Sequence, residues 1–150
     1  MGASAIRDTY VEIPAEDYRP GDEHLCGKLN FSLYGTRDAA LNWDAEVNST
    51  MRALGYVRGK ASSCVYRHER DDSTAAIHGD DILVEGPGEV LREVHRKIAV
   101  RYECTMKIIG RQSHLEKELK IPNRMASCGE EGFSIEEDKR HVEEIITEAN

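Results

Sequence analysis

Between Thr36 and Gly55 the apolar residues Ala40, Trp43, Val47, Met51 and Leu54 recur every three or four positions. That spacing tracks the helical turn of about 3.6 residues and lines five side chains along one stripe. Thr36 stands where a hydroxyl caps a helix start, and Gly55 where a left-handed residue ends one. A stripe of this kind has to be laid against a sheet or another helix before it contributes to stability.

The residues that follow supply such a sheet. Ser63 to Arg67 and Thr74 to Ile77 have strand composition and are separated by Glu69, Arg70, Asp71, Asp72 and Ser73, a polar linker suited to a hairpin. Ile82, Leu83 and Val84 make a third strand, which leaves Gly79, Asp80 and Asp81 at the turn between the last two. Pro87 and Gly88 introduce a second helix with Leu91, Val94, Ile98 and Tyr102 on one face, and Glu89 suits its positive end.

The flanks read less regularly. Asp8 to Ile13 is a short strand cut off by Pro14, and Leu25 to Leu33 is a second extended segment. Strand-like pieces at Cys104 to Ile109, Glu118 to Ile121 and Phe133 to Ile135 precede a last helix, with Asp138 as cap and Val142, Ile145, Ile146 and Ala149 as its stripe. Strands and helices in this order predict a single α/β or α+β domain over residues 1–150.

A length of 150 residues with 39% hydrophobic composition is enough for one core of its own. The formal charge of -8 argues against a free-standing nucleic-acid binder, because phosphate contacts need clustered Lys and Arg. Cys26, Cys64, Cys104 and Cys128 lie far apart with no Cys-x-x-Cys pair, so reduced thiols are expected rather than a zinc site or a disulfide framework. No run approaches the roughly 20 apolar residues of a membrane span, and the first residues lack the regions of a signal peptide. An intracellular protein, cytoplasmic or nuclear and without a membrane partner, is expected.

Asp80 and Asp81 carry the chemistry. Adjacent carboxylates on a tight turn repel, and a bound divalent cation removes that penalty. Hard cations such as Mg²⁺ take one or two carboxylates together with substrate phosphates, the arrangement of two-metal phosphoryl-transfer sites. A dipeptide of this kind is more often a solvated turn, and Asp71-Asp72 in the polar linker is read that way.

The neighbours of Asp80 and Asp81 distinguish them. Leu29, Ser32-Leu33-Tyr34-Gly35, Ala39, Trp43, Leu54-Gly55-Tyr56, Cys64-Val65-Tyr66 and His78-Gly79-Asp80-Asp81-Ile82-Leu83-Val84-Glu85-Gly86 follow one another in order. In this the chain resembles the reverse transcriptases of copia-type retrotransposons, carried in their Pol polyproteins. Tyr10-Val11-Glu12-Ile13-Pro14 is similar to the strand and proline that closely follow the family's first catalytic motif.

The resemblance implies an α+β fold, a palm-like antiparallel sheet backed by helices. It implies an RNA-directed DNA polymerase that uses two Mg²⁺ ions, an RNA template, a DNA primer and deoxynucleotide triphosphates, within the remainder of a Pol polyprotein. Asp80 would be the principal catalytic and metal-binding carboxylate and Asp81 the auxiliary one, with Lys28 and Arg37 as contacts to nucleic acid or triphosphate.

Three departures temper this. The family's upstream Asp-Val-x-x-Ala-Phe motif has no counterpart in Met1 to Ile6, and Asp8 falls too close to Tyr10 to replace it. The chain is therefore expected to be a fragment beginning just after that motif, with little or no turnover by itself. Thr36-Arg37-Asp38-Ala39 stands where the family has Leu-Lys-Gln-Ala, and Gly79 where many members have Val, which implies a more mobile turn. The rival expectation is an inactive remnant that acts, if at all, as a nucleic-acid- or protein-binding module.

Other candidates carry less. His95, His114 and His141 share no metal-ligand spacing and are expected at the surface or in caps. Gly86, Gly88 and Gly110 suit turns and form no phosphate-binding fingerprint, and Trp43 and Tyr56 are expected in the core.

Overall fold

A computed structural model describes residues 3–22, 24–121 and 124–137, and the backbone groups into two compact units, Met1–Cys104 and Thr105–Asn150. Both are built from antiparallel strands, and the first also holds two helices, so the α+β class expected from the sequence holds.

In the first unit, β1 (Tyr10–Glu12) pairs with β2 (Cys26–Lys28) in a two-stranded ribbon. Both strands are shorter than the sequence suggests. Pro14 ends the first, and a single 3₁₀ turn at Ala15–Asp17 follows.

The long helix α1 runs over Ala39–Ala53 and buries Asn42, Val47, Thr50 and Met51. Thr36 does not cap it. Its hydroxyl turns back to donate to the Leu33 carbonyl at 2.8 Å, and Asp38, without a side-chain capping bond, takes the cap position. Ala40 also leaves the expected stripe and is exposed. At the other end Gly55, at φ +93°, donates to Arg52 O while the Tyr56 N–H reaches back to Met51 O, the paired bonds of a Schellman stop.

The chain then builds β3 (Val57–Arg58), β4 (Val65–His68), β5 (Ser73–His78) and β6 (Asp81–Glu85), ordered as neighbours in one antiparallel sheet. The helix α2 (Gly88–Ala99) follows, and Tyr102 continues its buried face one turn past the end. Directly paired residues share a face of a sheet. One face therefore carries Tyr66, Ala75 and Val84 in one row, with Ile77 and Ile82 in the next.

This face packs on the helices. Val47 and Met51 from α1, Val94 and Ile98 from α2, and Tyr56, Tyr66, Ala75 and Tyr102 make one buried cluster, with Trp43, Leu54, Ile77, Ile82 and Val84 packed around it. Each fully buried side chain the size of Met51 contributes about 1.5–3 kcal/mol relative to exposure. The opposite face, with Val65, Ala76 and Leu83 in one row and Arg67, Thr74 and Glu85 in another, lies away from that cluster.

The second unit is a meander of β7 (Glu118–Ile121), β8 (Arg124–Cys128) and β9 (Phe133–Glu137). The strand expected at Cys104 to Ile109 does not form. Only Ile109 makes a bridge, to Glu116, and the Lys117 ammonium gathers the carbonyls of Gly110, Arg111 and Gln112 at 2.8–3.0 Å, turning the chain into a loop. The helix expected from Asp138 onward lies outside the described residues.

Candidate functional site

The candidate site sits where β5 turns into β6. His78 pairs across the hairpin with Asp81, so the connection is the two residues Gly79 and Asp80. Gly79 has φ +61°, whereas Asp80 is not among the positive-φ residues. A positive first position followed by an ordinary second one is the pattern of a type II′ turn, which matches the right-handed twist of the flanking strands and favours glycine. The glycine at this position therefore meets a backbone requirement.

The hairpin places Asp80 at the tip and Asp81 on the sheet face away from the core, and both are exposed. None of the described residues forms an ion pair with either of them. The linker pair differs. Asp71 lies 2.9 Å from Arg70 Nε and 3.6 Å from His68 Nε2, and Asp72 pairs with Arg67. The Arg70 guanidinium, bonded to Asp71, holds that carboxyl below the ordinary carboxylate value. One aspartate pair is thus compensated by its own protein and the other is left to solvent and ions, although both read as Asp-Asp.

The turn is held from behind by α1. The Trp43 indole N–H donates to the Gly79 carbonyl at 2.6 Å, and the Trp43 ring meets Tyr102 edge-on with centroids 5.7 Å apart. Tyr102 donates to Glu46 Oε1 at 2.7 Å, so at 2.7 Å from Thr50 Oγ1 it accepts. Arg101 closes on the same carboxylate at 2.7 Å. The Tyr102 hydrogen bond and Arg101 hold the Glu46 carboxyl below its ordinary value, and burial pushes the Tyr102 phenol up. Sequence reasoning places Trp43 in the core stripe and misses this bond, whose only signal is that an indole brings a donor to an otherwise apolar position.

Lys28 and Arg37 are not gathered with the carboxylates. Lys28 lies on β2 and is engaged by Asp8 at 2.6 Å. Arg37 is exposed on the wall of a cavity of about 280 Å³ that Arg7, Thr36, Asp38 and Asn42 also line, and neither Asp80 nor Asp81 borders it. Asp38 there is paired with Arg7.

Among the described residues no three His, Cys, Asp or Glu side chains come together in a way that could hold a metal ion. Asp80 and Asp81 are adjacent exposed carboxylates on a strand-turn-strand support, and carboxylate oxygen is the donor type that Mg²⁺ takes. His95 departs from its expected surface place: it is half-buried on α2, and its Nε2 has no hydrogen-bond partner among the described residues. His114 is exposed, and His141 lies outside the described residues. The four cysteines are free. No helix among the described residues is long and apolar enough to cross a membrane.

The chain is similar to retrotransposon proteins. It is 30% identical over 82 residues, 53% of its length, to the retrovirus-related Pol polyprotein from transposon TNT 1-94 of Nicotiana tabacum. It is 24% identical over 131 residues, 85% of its length, to a protein assigned to transposon Ty5-1 in Saccharomyces cerevisiae. The matches span 6% and 41% of those relatives, so the chain corresponds to a part of each. No family model and no solved structure matches it. The chain is thus related to retrotransposon Pol polyproteins at low identity, and this relationship fits a place within a larger polyprotein.

Proposed function

We propose that this chain is the palm segment of a copia-type reverse transcriptase, in which Asp80 and Asp81 hold divalent cations for nucleotidyl transfer. The observation that carries the reading is the uncompensated Asp80-Asp81 pair on the β5–β6 hairpin, set against the compensated Asp71-Asp72 pair in the next loop. The order of motifs around that hairpin and the relationship to Pol polyproteins support it.

Mg²⁺ held by Asp80 and Asp81 would supply Lewis-acid activation of a primer 3′-hydroxyl and charge neutralisation at the leaving pyrophosphate. The protein's share is positioning. Asp80 at the turn tip would be the principal ligand and Asp81, the first residue of β6, the auxiliary one, both carried on a strand-turn-strand support. Lys28 and Arg37 remain proposed contacts to nucleic acid or triphosphate, and each first has to leave or share its acidic surroundings.

Two carboxylates are one fewer than the resemblance requires, so the chain alone is expected to turn over little or nothing. The test is a Mn²⁺ titration with and without a deoxynucleotide triphosphate. Binding that tightens with the triphosphate and disappears in Asp80→Ala supports the reading, and no binding to the unmodified chain removes it. Primer extension on an RNA template by the chain alone would overturn the expectation of inactivity.

A second reading is a remnant that binds a protein or nucleic-acid partner without catalysis, and within it the net charge of -8 favours a protein partner. Salt-dependent affinity for an RNA-DNA hybrid without any metal binding would select it.

A further inference from the structure

We infer that Trp43 is a positioning residue for the Asp80-Asp81 hairpin, acting through its hydrogen bond to the Gly79 carbonyl. The inference rests on the metal-binding reading of that hairpin. It adds a residue thirty-six positions away that the reading does not contain.

A two-residue turn has few internal constraints. Its tip carbonyl ordinarily faces water, and rotation of the Gly79 peptide swings the Asp80 backbone with it, because Gly79 O and Asp80 N belong to one peptide plane. Anchoring that oxygen therefore fixes the plane from which the Asp80 side chain departs. At 2.6 Å the Trp43 N–H supplies the anchor.

The anchor is itself held. Trp43 is half-buried on α1, and its ring is braced edge-on by Tyr102, which is 5% exposed. The Tyr102 hydroxyl is bound on two sides, by Thr50 and Glu46 from the same helix, and Glu46 is held by Arg101. The edge contact with Tyr102 and the bond to Gly79 thus both oppose a swing of the indole away from the turn. Outer partners of this kind orient metal-binding side chains and tune their affinity.

The test separates the donor from the ring. Trp43→Phe removes the N–H and part of the volume, whereas replacing Trp43 by benzothienylalanine removes the N–H and keeps the bicyclic shape. Backbone ¹⁵N relaxation is measured at Gly79, Asp80 and Asp81 in metal-free protein, and Mn²⁺ affinity in the same samples. Positioning by Trp43 gives greater amide mobility at these three residues in both variants, with the rest of the sheet unchanged. It also gives a Mn²⁺ dissociation constant raised by about tenfold.

Unchanged relaxation at the turn in the benzothienylalanine variant overturns the inference. Increased mobility at the turn with no Mn²⁺ binding to unmodified protein keeps Trp43 as the anchor and removes the metal reading. The two failures are therefore distinguishable.

Discussion

Replacing Gly55 by alanine probes the junction that delivers α1 to the sheet. At φ +93° a residue with a Cβ is strained by about 1–2 kcal/mol whatever surrounds it. Here the surroundings add a second cost. A Cβ at Gly55 would come within 2.9 Å of His68 Cδ2 and closer still to Nε2, and His68 is a buried residue of β4 with little room to retreat. Moving its ring breaks the bond in which Nδ1 accepts the Asp71 N–H at 3.1 Å, worth about 0.5–1.5 kcal/mol. It also disturbs the edge contact with Tyr56 at 5.2 Å, worth about as much again. The expected loss is about 2–5 kcal/mol. Gly79→Ala is the control, since Gly79 also has positive φ but nothing within 4 Å of its Cβ position, and strain alone should cost it about 1–2 kcal/mol. Urea unfolding followed by circular dichroism gives both values. Equal losses in the two variants would refute the role assigned to His68, and a loss below about 1 kcal/mol at Gly55 would refute the strain as well.

Three further outcomes follow from the same contacts. Tyr56→Phe strips the fully buried Ser73 hydroxyl of its 2.7 Å partner and should cost about 1–3 kcal/mol in the same urea assay. In metal-free buffer Asp80→Asn should be neutral or stabilising, by up to about 0.5 kcal/mol, because it relieves repulsion with Asp81, whereas Asp72→Asn loses the Arg67 pair and should not stabilise; calorimetric midpoints compare them. Glu46 is held below its ordinary value of 4.5 in the folded chain, so its contribution is complete above that value and is lost as pH falls through the lower folded value. As pH falls below 4.5 the unmodified chain should therefore lose more stability than Glu46→Gln, as read by unfolding at each pH.

Much of the first unit is legible in the sequence because its signals are local. The three-to-four spacing that ends at Gly55 fixes α1, and the short strand-like runs on either side of Gly79 and Asp80 fix the β5–β6 hairpin. Helix starts are less legible. A hydroxyl such as that of Thr36 caps only if the backbone turns toward it, and here it bonds the Leu33 carbonyl instead. The strand expected at Cys104 to Ile109 fails because a strand needs a partner, and Lys117 draws the neighbouring carbonyls into a loop. β3, with two residues, and β8, with Ser127 and Cys128 in its run, give no alternation to read.

The site follows the same division. Asp80 and Asp81 could be singled out from their neighbours in the chain, but the Trp43 bond to Gly79 spans thirty-six residues and exists only once α1 lies behind the sheet. That no described residue forms an ion pair at the hairpin, whereas Asp71 and Asp72 each have one, is likewise a tertiary fact. Both dipeptides look alike in sequence.

Paramagnetic broadening by Mn²⁺ tests that contrast most directly. Added at low stoichiometry to ¹⁵N-labelled protein, Mn²⁺ should broaden the amides of Gly79, Asp80, Asp81 and Ile82 first, leave those of Asp71 and Asp72 sharp, and lose its effect on the hairpin in Asp80→Ala. Broadening centred on Asp71 and Asp72, or spread evenly over the acidic surface, would contradict the assignment of the metal site to the β5–β6 hairpin.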